Sequence, residues 1–368
     1  MASGPHARRR PTLADVAAAA GVSRATASRA MSDGPNVSPA ARDRVWAAVE
    51  RLGFEPNHLA RSLRRGSTMA VGIVVPDVAV AFYASALKGA QEVLEDRGYH
   101  VLVMNTERTA ERETAALRML GAHQVDGVIL ATSGGYRDLG VPSVFFDAVP
   151  SDVRAGAVAL CNEEGIGLLV DHLVREHGHE RIAYIGPPAV GATGAAPFLH
   201  RPGRERLDGF NAAMGRAGLP LPPAYVRTSD PACTEAVAEE IARELLALEQ
   251  PPTAIIAGAD TLALGVLEAA RKLGTGVPER LALVSFDEPA HPDLLDPPVT
   301  SLDRHDRQLG RRAAELLVAA LATGDGTRAD GVVERVPLDL RVRRSCGCAS
   351  GATRRPARAR ASAGRPQA

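Results

Sequence analysis

The sequence contains few aromatic residues, almost no lysine and only four cysteines. Phe, Trp and Tyr make up 4% of the 368 residues, so the cores must be built from Ala, Val, Leu and Ile, within a hydrophobic content of 45%. Nearly all of the positive charge is arginine, because Lys88 and Lys272 are the only lysines. No apolar run reaches the length of a membrane span, and no apolar segment of a signal peptide follows the N-terminal arginines. We therefore expect a cytoplasmic, nucleoid-associated protein with no membrane partner.

The four cysteines, Cys161, Cys233, Cys346 and Cys348, lack the spacing of a disulfide framework. The run Cys346-Gly347-Cys348 can be read as half of a metal site, but no second cysteine pair accompanies it. We therefore expect neither a bound metal nor a cofactor.

The charge of the chain is unevenly distributed, although the formal net charge is zero. Residues 1–68 contain eleven arginines against five acidic residues, and residues 341–368 contain eight arginines and no acid, so the middle is acidic. A basic N-terminal module on an acidic body is typical of a nucleic-acid-binding protein, although charge runs are more often simply solvated surface. The length suits one small domain followed by a larger, two-lobed body.

The first sixty residues show the pattern of a helix-turn-helix followed by a supporting third helix. A first helix begins after Thr12 and ends at Gly21, and Ser23 begins a second helix, Arg24–Met31. The third helix, Pro39–Leu52, starts after Ser38. The apolar positions that we expect to face inward are Leu13, Val16, Ala17, Ala20, Ala27, Ala30, Met31, Val45, Leu52 and either Trp46 or Val49. In such a motif the second helix enters the major groove of DNA.

Several runs of sequence resemble the DNA-binding domain of the lac repressor family. They are Thr12–Ala17, Gly21–Arg29, Val37-Ser38 and Gly53–Arg64. The resemblance continues to about Arg344 and therefore covers nearly the whole chain. It implies a transcriptional regulator, in family habit a repressor, that binds a pseudo-palindromic operator as a homodimer and is controlled by a small molecule. Because the C-terminus lacks leucine heptads, we expect a dimer rather than a tetramer.

The resemblance also implies which side chains contact DNA. Arg24, Ala25 and Arg29 match base-reading positions; an arginine suits guanine through a bidentate pair, whereas alanine offers only a methyl contact. Contacts to phosphates fix the position of the protein along the DNA but do not read its base sequence. The residues that match phosphate-contacting positions of the family are Thr12, Ser23, Thr26, Ser28, Asn36 and Ser38. For Thr26 and Ser28, simple helix-surface polarity is an open alternative.

Residues Asn57–Arg64 resemble the hinge helix of the family. A helix this short and basic is marginal alone, so we expect it to order when two copies meet on DNA. Leu63 matches a side chain that wedges into the minor groove, beside the small Ala60. Leu63 as an ordinary linker hydrophobe stays open as the alternative.

From residue 69 onward, short apolar strands alternate with helices, and the pattern occurs twice. Near-continuous Val, Ile and Leu strands between helices indicate parallel sheets covered on both faces, and a ligand cleft between two such lobes. The predicted strands are Ala70–Val75, His100–Met104, Gly127–Leu130, Ser143–Phe146, Arg181–Ile185, Tyr225–Arg227, Ala254–Ala257 and Leu281–Val284. This body resembles the periplasmic sugar-binding fold found in the same family.

The predicted fold class is therefore an all-α helix-turn-helix domain joined to a two-lobed α/β body with doubly wound parallel sheets. We place the DNA-binding domain at 1–56, the hinge and linker at 57–67, and the effector-binding domain at 68–345. Lobe 1 is expected at about 68–176 and 303–332, and lobe 2 at about 177–302 and 333–345. Residues 346–368 are expected to form a disordered basic tail.

The resemblance implies a pocket in the cleft for a sugar-like effector. Arg206 and Asp287 match ligand-binding positions, and an arginine facing an aspartate is suited to hold vicinal hydroxyls; an interlobe salt bridge without a ligand stays open as the alternative. The further candidates, from loops that follow strands, are Phe82, Tyr83, Ser133, Asp147, Glu164, Asp260 and Arg304. Ala259 and the pair Glu163-Glu164 depart from the residues that many members carry. We therefore expect a ligand other than a standard hexose.

Other functions fit the sequence less well. We find no Walker loop, no Gly-x-Ser-x-Gly and no zinc-binding spacing, so we expect no enzymatic activity and no catalytic residues. A periplasmic solute receptor conflicts with the helix-turn-helix, and a purely architectural DNA binder leaves the two-lobed body without a role.

Overall fold

A computed structural model describes residues 11–31, 35–54, 67–150, 155–187, 198–229, 233–323, 332–348 and 353–354, which belong to two compact units, 1–68 and 69–368. The predicted hinge helix, with Asn57, Ala60 and Leu63, lies outside the described residues. No helix within these ranges combines the length and apolarity needed to cross a bilayer.

Within its described residues, the first unit contains three helices: α1 Leu13–Ala20, α2 Arg24–Met31 and α3 Pro39–Leu52. Thr12 and Asp15 form a capping box at the start of α1, and Gly21 ends it with φ at 65°, a conformation that suits glycine. The buried core consists of Val16, Ala17, Ala20, Ala27, Ala30, Val45, Ala48 and Val49. Trp46 is 43% exposed whereas Val49 is 8% exposed, which decides between the two candidates for the inner face of α3.

The second unit contains two parallel sheets flanked by helices, which confirms the predicted fold class. Two short 3-10 turns at Pro223–Tyr225 and Pro292–Leu294 interrupt its loops. In chain order its other elements are β1 Ala70–Val75, α4 Ala81–Asp96, β2 His100–Asn105, α5 Ala110–Ala122, β3 Gly127–Leu130, β4 Ser143–Phe146, β5 Val149–Pro150, β6 Gly156–Leu160, α6 Asn162–His177, β7 Ile182–Gly186, β8 Phe198–His200, α7 Pro202–Arg216, β9 Val226–Thr228, α8 Glu235–Leu246, β10 Ala254–Ala257, α9 Asp260–Leu273, β11 Ala282–Ser285, β12 Thr300–Asp303, α10 Asp306–Thr323, β13 Val333–Val336, β14 Asp339–Arg341 and β15 Thr353–Arg354.

Each lobe is organised around one sheet. The sheet of lobe 1 has the strand order β13-β6-β4-β3-β1-β2 and is parallel throughout. The sheet of lobe 2 has the order β15-β14-β12-β11-β10-β7-β9, and only its β14 and β15 pairings are antiparallel. Central strands such as β7 and β10 are buried at every position, because helices cover both faces.

The chain passes between the lobes three times, and two of the predicted lobe boundaries are wrong. The first passage follows β6. The next helix, α6, packs on α7 and on strands of lobe 2, so it belongs to lobe 2. Lobe 1 was predicted to continue to about residue 176. The second links β12 to α10, which packs on α4 and the lobe 1 sheet. The third follows β13, which pairs with β6 in lobe 1 and was predicted in lobe 2.

The expected disordered tail is also wrong in its first residues. Cys346, the first residue of that predicted tail, is 1% exposed and packs into the main hydrophobic core, as does Val342 in the segment before it. The hydroxyl of Ser345 donates to the carbonyl oxygen of Leu283 at 2.6 Å, and β15 pairs with β14. These buried contacts hold residues 342–348 in place despite their basic composition.

Candidate functional site

Helix α2 has one buried face and one exposed, basic face. Ala27 and Ala30 pack inward, whereas Arg24, Ala25 and Arg29, the predicted base-reading residues, are exposed. The Nε of Arg29 donates to the carbonyl oxygen of Ala25 at 3.3 Å, which aligns this side chain along the helix. The surface that a recognition helix must present is therefore available in this unit.

The predicted phosphate-contacting hydroxyls already have structural roles at helix ends. The amide of Thr26 donates to Ser23 Oγ at 3.0 Å, and the two hydroxyl oxygens are 2.8 Å apart. Thr12 Oγ1 donates to the Asp15 carboxylate at 2.7 Å, and Ser38 Oγ accepts from the amide of Ala41. The other two positions are Ser28, which is half-buried, and Asn36, which is exposed with φ at 64°.

A cavity of about 580 Å³ lies in the body, within the ~300–1,000 Å³ typical of ligand pockets. Four of the predicted effector residues line it: Phe82, Asp260, Asp287 and Arg304. Burial raises the pKa of the Asp260 carboxyl, which lies at the start of α9.

Two buried arginines share the carboxylate of Asp287. Asp287 Oδ1 lies 2.5 Å from Arg304 Nη1 and 3.5 Å from Arg206 Nη1, and these side chains are 8–15% exposed. Arg206 also donates to Asn162 Oδ1 at 3.1 Å and to the carbonyl oxygen of Gly258 at 2.7 Å. Arg304 Nη2 pairs with Asp306 at 3.0 Å. These contacts fix both guanidinium groups in position.

Two buried carboxylate oxygens at this cluster accept no aligned hydrogen bond from the described part of the chain. They are Asp287 Oδ1, which has ion pairs only, and Asp306 Oδ1. Both residues line the cavity. Asp287 Oδ1 is compensated by the charges of its two arginines, whereas Asp306 Oδ1 is a buried acceptor for which no described side chain supplies a donor.

An aromatic cluster forms the apolar side of the site. The ring of Phe82 lies 4.9 Å from that of Tyr83 and 6.3 Å from that of Phe146, and the guanidinium carbon of Arg304 is 4.7 Å above Phe82. The corresponding carbon of Arg206 lies 3.8 Å above the ring of Phe286. Each of the two guanidinium groups is therefore held over an aromatic ring by a cation–π contact.

Asp147 lies beside this cluster with a perturbed pKa. Burial raises the pKa of its carboxyl to about 6, although the positive charges of Arg206 and Arg304 act in the opposite direction. The hydroxyl of Tyr83 donates to Asp147 Oδ2 at 3.4 Å, and burial raises the pKa of that phenol. The pKa of the Asp147 carboxyl is therefore well above that of an exposed aspartate.

Two predicted residues are not brought to the cluster by their described contacts. Glu164 is exposed on α6, and the polar contact to Arg206 comes instead from Asn162, which is fully buried at the start of that helix. The backbone amide of Ser133 donates to the carboxylate of Glu113, a buried residue in which burial raises the pKa. Asn162 and Asp306 were missed, although both lie where the chain passes between lobes.

Comparisons with known proteins agree with this architecture. Residues 12–57 match the family described as bacterial regulatory proteins, lacI family, and residues 170–346 match a periplasmic binding protein-like domain. The HTH-type transcriptional repressor CytR of Escherichia coli K12 is 30% identical over 327 residues, covering 86% of this chain and 92% of CytR. Catabolite control protein A of Priestia megaterium is 29% identical over 341 residues, covering 91% and 98%.

Two solved structures are similar over most of the chain. The lac repressor dimer bound to operator and the anti-inducer ONPF has a TM-score of 0.79 and 25% identity, covering 92% of this chain and 99% of the repressor. The complex of the transcriptional regulator CelR with cellobiose has a TM-score of 0.65 and 29% identity, covering 91% and 100%. Both domains, in the same order and over nearly the full length, place this chain in the LacI family of bacterial transcriptional regulators.

Proposed function

We propose that this chain is a repressor that binds a pseudo-palindromic operator of roughly 14–20 base pairs as a homodimer, with one α2 helix in each half-site. The exposed Arg24 and Arg29 would read bases, and the hydroxyls at the helix ends would set the register on the phosphates. The argument for this role is the separation of faces on α2: Ala27 and Ala30 are buried, and Arg24 and Arg29 face outward.

The effector is a neutral, hydroxyl-rich molecule such as a sugar or a nucleoside. The observation that carries this assignment is the pair of carboxylates, Asp287 and Asp306, that line the cavity beside Arg304. Hydroxyl groups can donate to them and accept from Arg304, whereas the ring of Phe82 can cover an apolar face.

The charge of the cavity argues against a phosphorylated effector. Its lining includes five acidic residues, Asp260, Asp287, Glu288, Asp303 and Asp306, against Arg304 and Arg307. A phosphate would have to displace one of the carboxylates that already neutralise the arginines, and it would be repelled by the others. A hydroxyl ligand needs no such rearrangement.

Control of DNA binding follows from where the ligand-binding residues lie. Arg304 and Asp306 belong to the passage from β12 to α10, and Asn162 begins the helix after another passage. A ligand that rearranges the ion pairs of Asp287 therefore acts on the segments that join the lobes. The coupling that such a shift can supply is commonly about 1–3 kcal/mol, or roughly a 5- to 150-fold change in DNA affinity.

Titration of the purified protein with neutral sugars, nucleosides and their phosphates, followed by thermal unfolding, tests the assignment. We expect one class of neutral hydroxylated compound to raise the unfolding temperature and to shift DNA affinity. Asp287→Asn should abolish that response, and Asp208→Asn, an exposed carboxylate on α7, should retain it. Stabilisation by phosphorylated compounds alone, or an unchanged response of Asp287→Asn, would contradict the proposed pocket.

A further inference from the structure

A group of four metal-binding side chains lies in lobe 2, outside the effector cavity. His172 and His177 come from the second half of α6, and Cys346 and Cys348 come from the turn after β14. One potential ligand atom from each residue lies within 4.8 Å of all the others. His172 and Cys346 are buried, and the other two are half-buried.

The distances within the group match a tetrahedral zinc site. Nε2 of His172 lies 3.3 Å from Cys346 Sγ and 3.9 Å from Cys348 Sγ, and Nε2 of His177 lies 3.2 Å from Cys348 Sγ. With Zn–S at about 2.3 Å and Zn–N at about 2.0–2.1 Å, tetrahedral geometry separates sulfur from nitrogen by about 3.6 Å. The side chains therefore need to move by only a few tenths of an ångström.

The backbone and the neighbouring side chains orient both sulfur atoms. Gly347 has φ at +97°, a conformation that side chains rarely adopt, and it allows two cysteines so close in sequence to face one point. The amide of Arg343 donates to Thr300 Oγ1 at 2.9 Å, and Thr300 Oγ1 donates to Cys346 Sγ at 3.1 Å. A hydroxyl directed at a cysteine sulfur is the second layer of contacts that holds a thiolate in a metal site.

We propose that His172, His177, Cys346 and Cys348 bind one structural zinc ion. Two thiolates and two neutral imidazoles balance the charge of Zn²⁺, and the two thiol protons pass to solvent on binding. Two cysteine and two histidine ligands favour zinc over the oxygen-preferring cations, and four protein ligands leave no open position for catalysis.

The ion would join two segments that are distant in sequence. It connects the C-terminal end of α6, where the helix dipole favours a cation, to the turn that follows β14. That turn follows the third passage between the lobes. Zinc would therefore stabilise lobe 2 independently of DNA or effector, and the proposal does not rest on the proposed function.

The test begins with the metal content of the full chain, purified without chelator and without an affinity resin that carries metal. We expect about one zinc ion per chain by elemental analysis. After removal of the ion by a chelator, titration with Co²⁺ should give the visible absorption of a tetrahedral site with thiolate ligands. Zinc should also raise the unfolding temperature of the stripped protein.

Substitutions separate this site from other metal binding. Cys348→Ser and His177→Ala should lose zinc, whereas Cys233→Ser and His179→Ala, a matched cysteine and a neighbouring histidine, should keep it. Thr300→Val keeps all four ligands and should weaken zinc affinity by about 10- to 100-fold, because it removes the contact to the Cys346 sulfur together with the hydrogen bond that Thr300 Oγ1 accepts from the amide of Arg343.

Three results would overturn the proposal. The first is a wild-type chain that takes up neither zinc nor tetrahedral Co²⁺. The second is metal that binds to Cys348→Ser and His177→Ala as tightly as it binds to the wild type. The third is a protein, prepared under reducing conditions, in which mass spectrometry finds Cys346 and Cys348 joined as a disulfide.

Discussion

Replacing Asp147 with asparagine should stabilise the protein at neutral pH but much less in acid. Burial raises the pKa of this carboxyl from 3.8 to about 6, so the folded protein keeps its proton over a range in which the unfolded chain has lost it. Stability therefore falls as pH rises from about 4 to about 6, and the loss is complete above that window. At 1.36 kcal/mol for each pKa unit, this raised pKa lowers the free energy of unfolding at pH 7.5 by about 3 kcal/mol.

Asparagine cannot ionise and keeps an acceptor for the hydroxyl of Tyr83, so Asp147→Asn removes this cost. Between about pH 4 and pH 7.5, the free energy of unfolding of the variant should rise relative to wild type by about 2–3 kcal/mol. Denaturant unfolding at several pH values measures it, with the exposed Asp208→Asn as control.

A companion variant tests the cause of the pKa. The hydrogen bond from Tyr83 lowers the pKa of Asp147, so Tyr83→Phe should move the upper end of the pH window further up. A difference between Asp147→Asn and wild type that does not depend on pH, or one that grows in acid, would refute the reasoning.

Three other substitutions test separate parts of the account. Arg24→Ala should lose about 1–3 kcal/mol of discrimination at one base of each half-site, whereas Arg51→Ala, on the last turn of α3, should leave base preference unchanged in binding assays. Arg206→Lys should weaken effector binding measured by calorimetry about 10-fold or more, because lysine cannot hold Asn162 and Gly258 with a planar fork. Gly310→Ala should lower the free energy of unfolding by about 3 kcal/mol or more, because its Cβ would overlap a backbone carbonyl of α4.

The helix-turn-helix and the strand pattern could be predicted because local sequence determines them. The apolar spacing of α1 and the glycine after it fix that helix without reference to the rest of the chain. Strands such as β1 and β10 are short Val- and Ile-rich runs between longer helices, which indicates a parallel sheet. Predictions made from such patterns needed only small changes of boundary.

The first passage between lobes was missed because β6 has an ambiguous sequence. Its residues, Gly156–Leu160, are mostly small and read equally well as part of a helix or a loop. Without that strand, the polar residue at its carboxyl end could not be identified, and Glu164 was chosen in place of Asn162. The signal that could have found Asn162 is its position directly after a fully buried run.

The C-terminal segment could not be predicted because long-range contacts order it. Its arginines favour a solvated tail, whereas its order depends on Ser345 and Cys346, which contact Leu283 and Thr300 far away in the sequence. The same reason concealed the candidate zinc ligands. The cysteines form a close pair, but His172 and His177 are brought to them only by the fold.

The central claim is that this chain recognises a specific DNA sequence through α2. Selection of bound fragments from random DNA by the purified full chain, at physiological salt, tests it most directly. The account predicts a two-fold symmetric sequence bound roughly 10³–10⁷ times more tightly than random DNA, and loss of that preference in Arg24→Ala combined with Arg29→Ala. If no sequence is enriched, or if the double variant selects the same sequence as wild type, base recognition by α2 is contradicted.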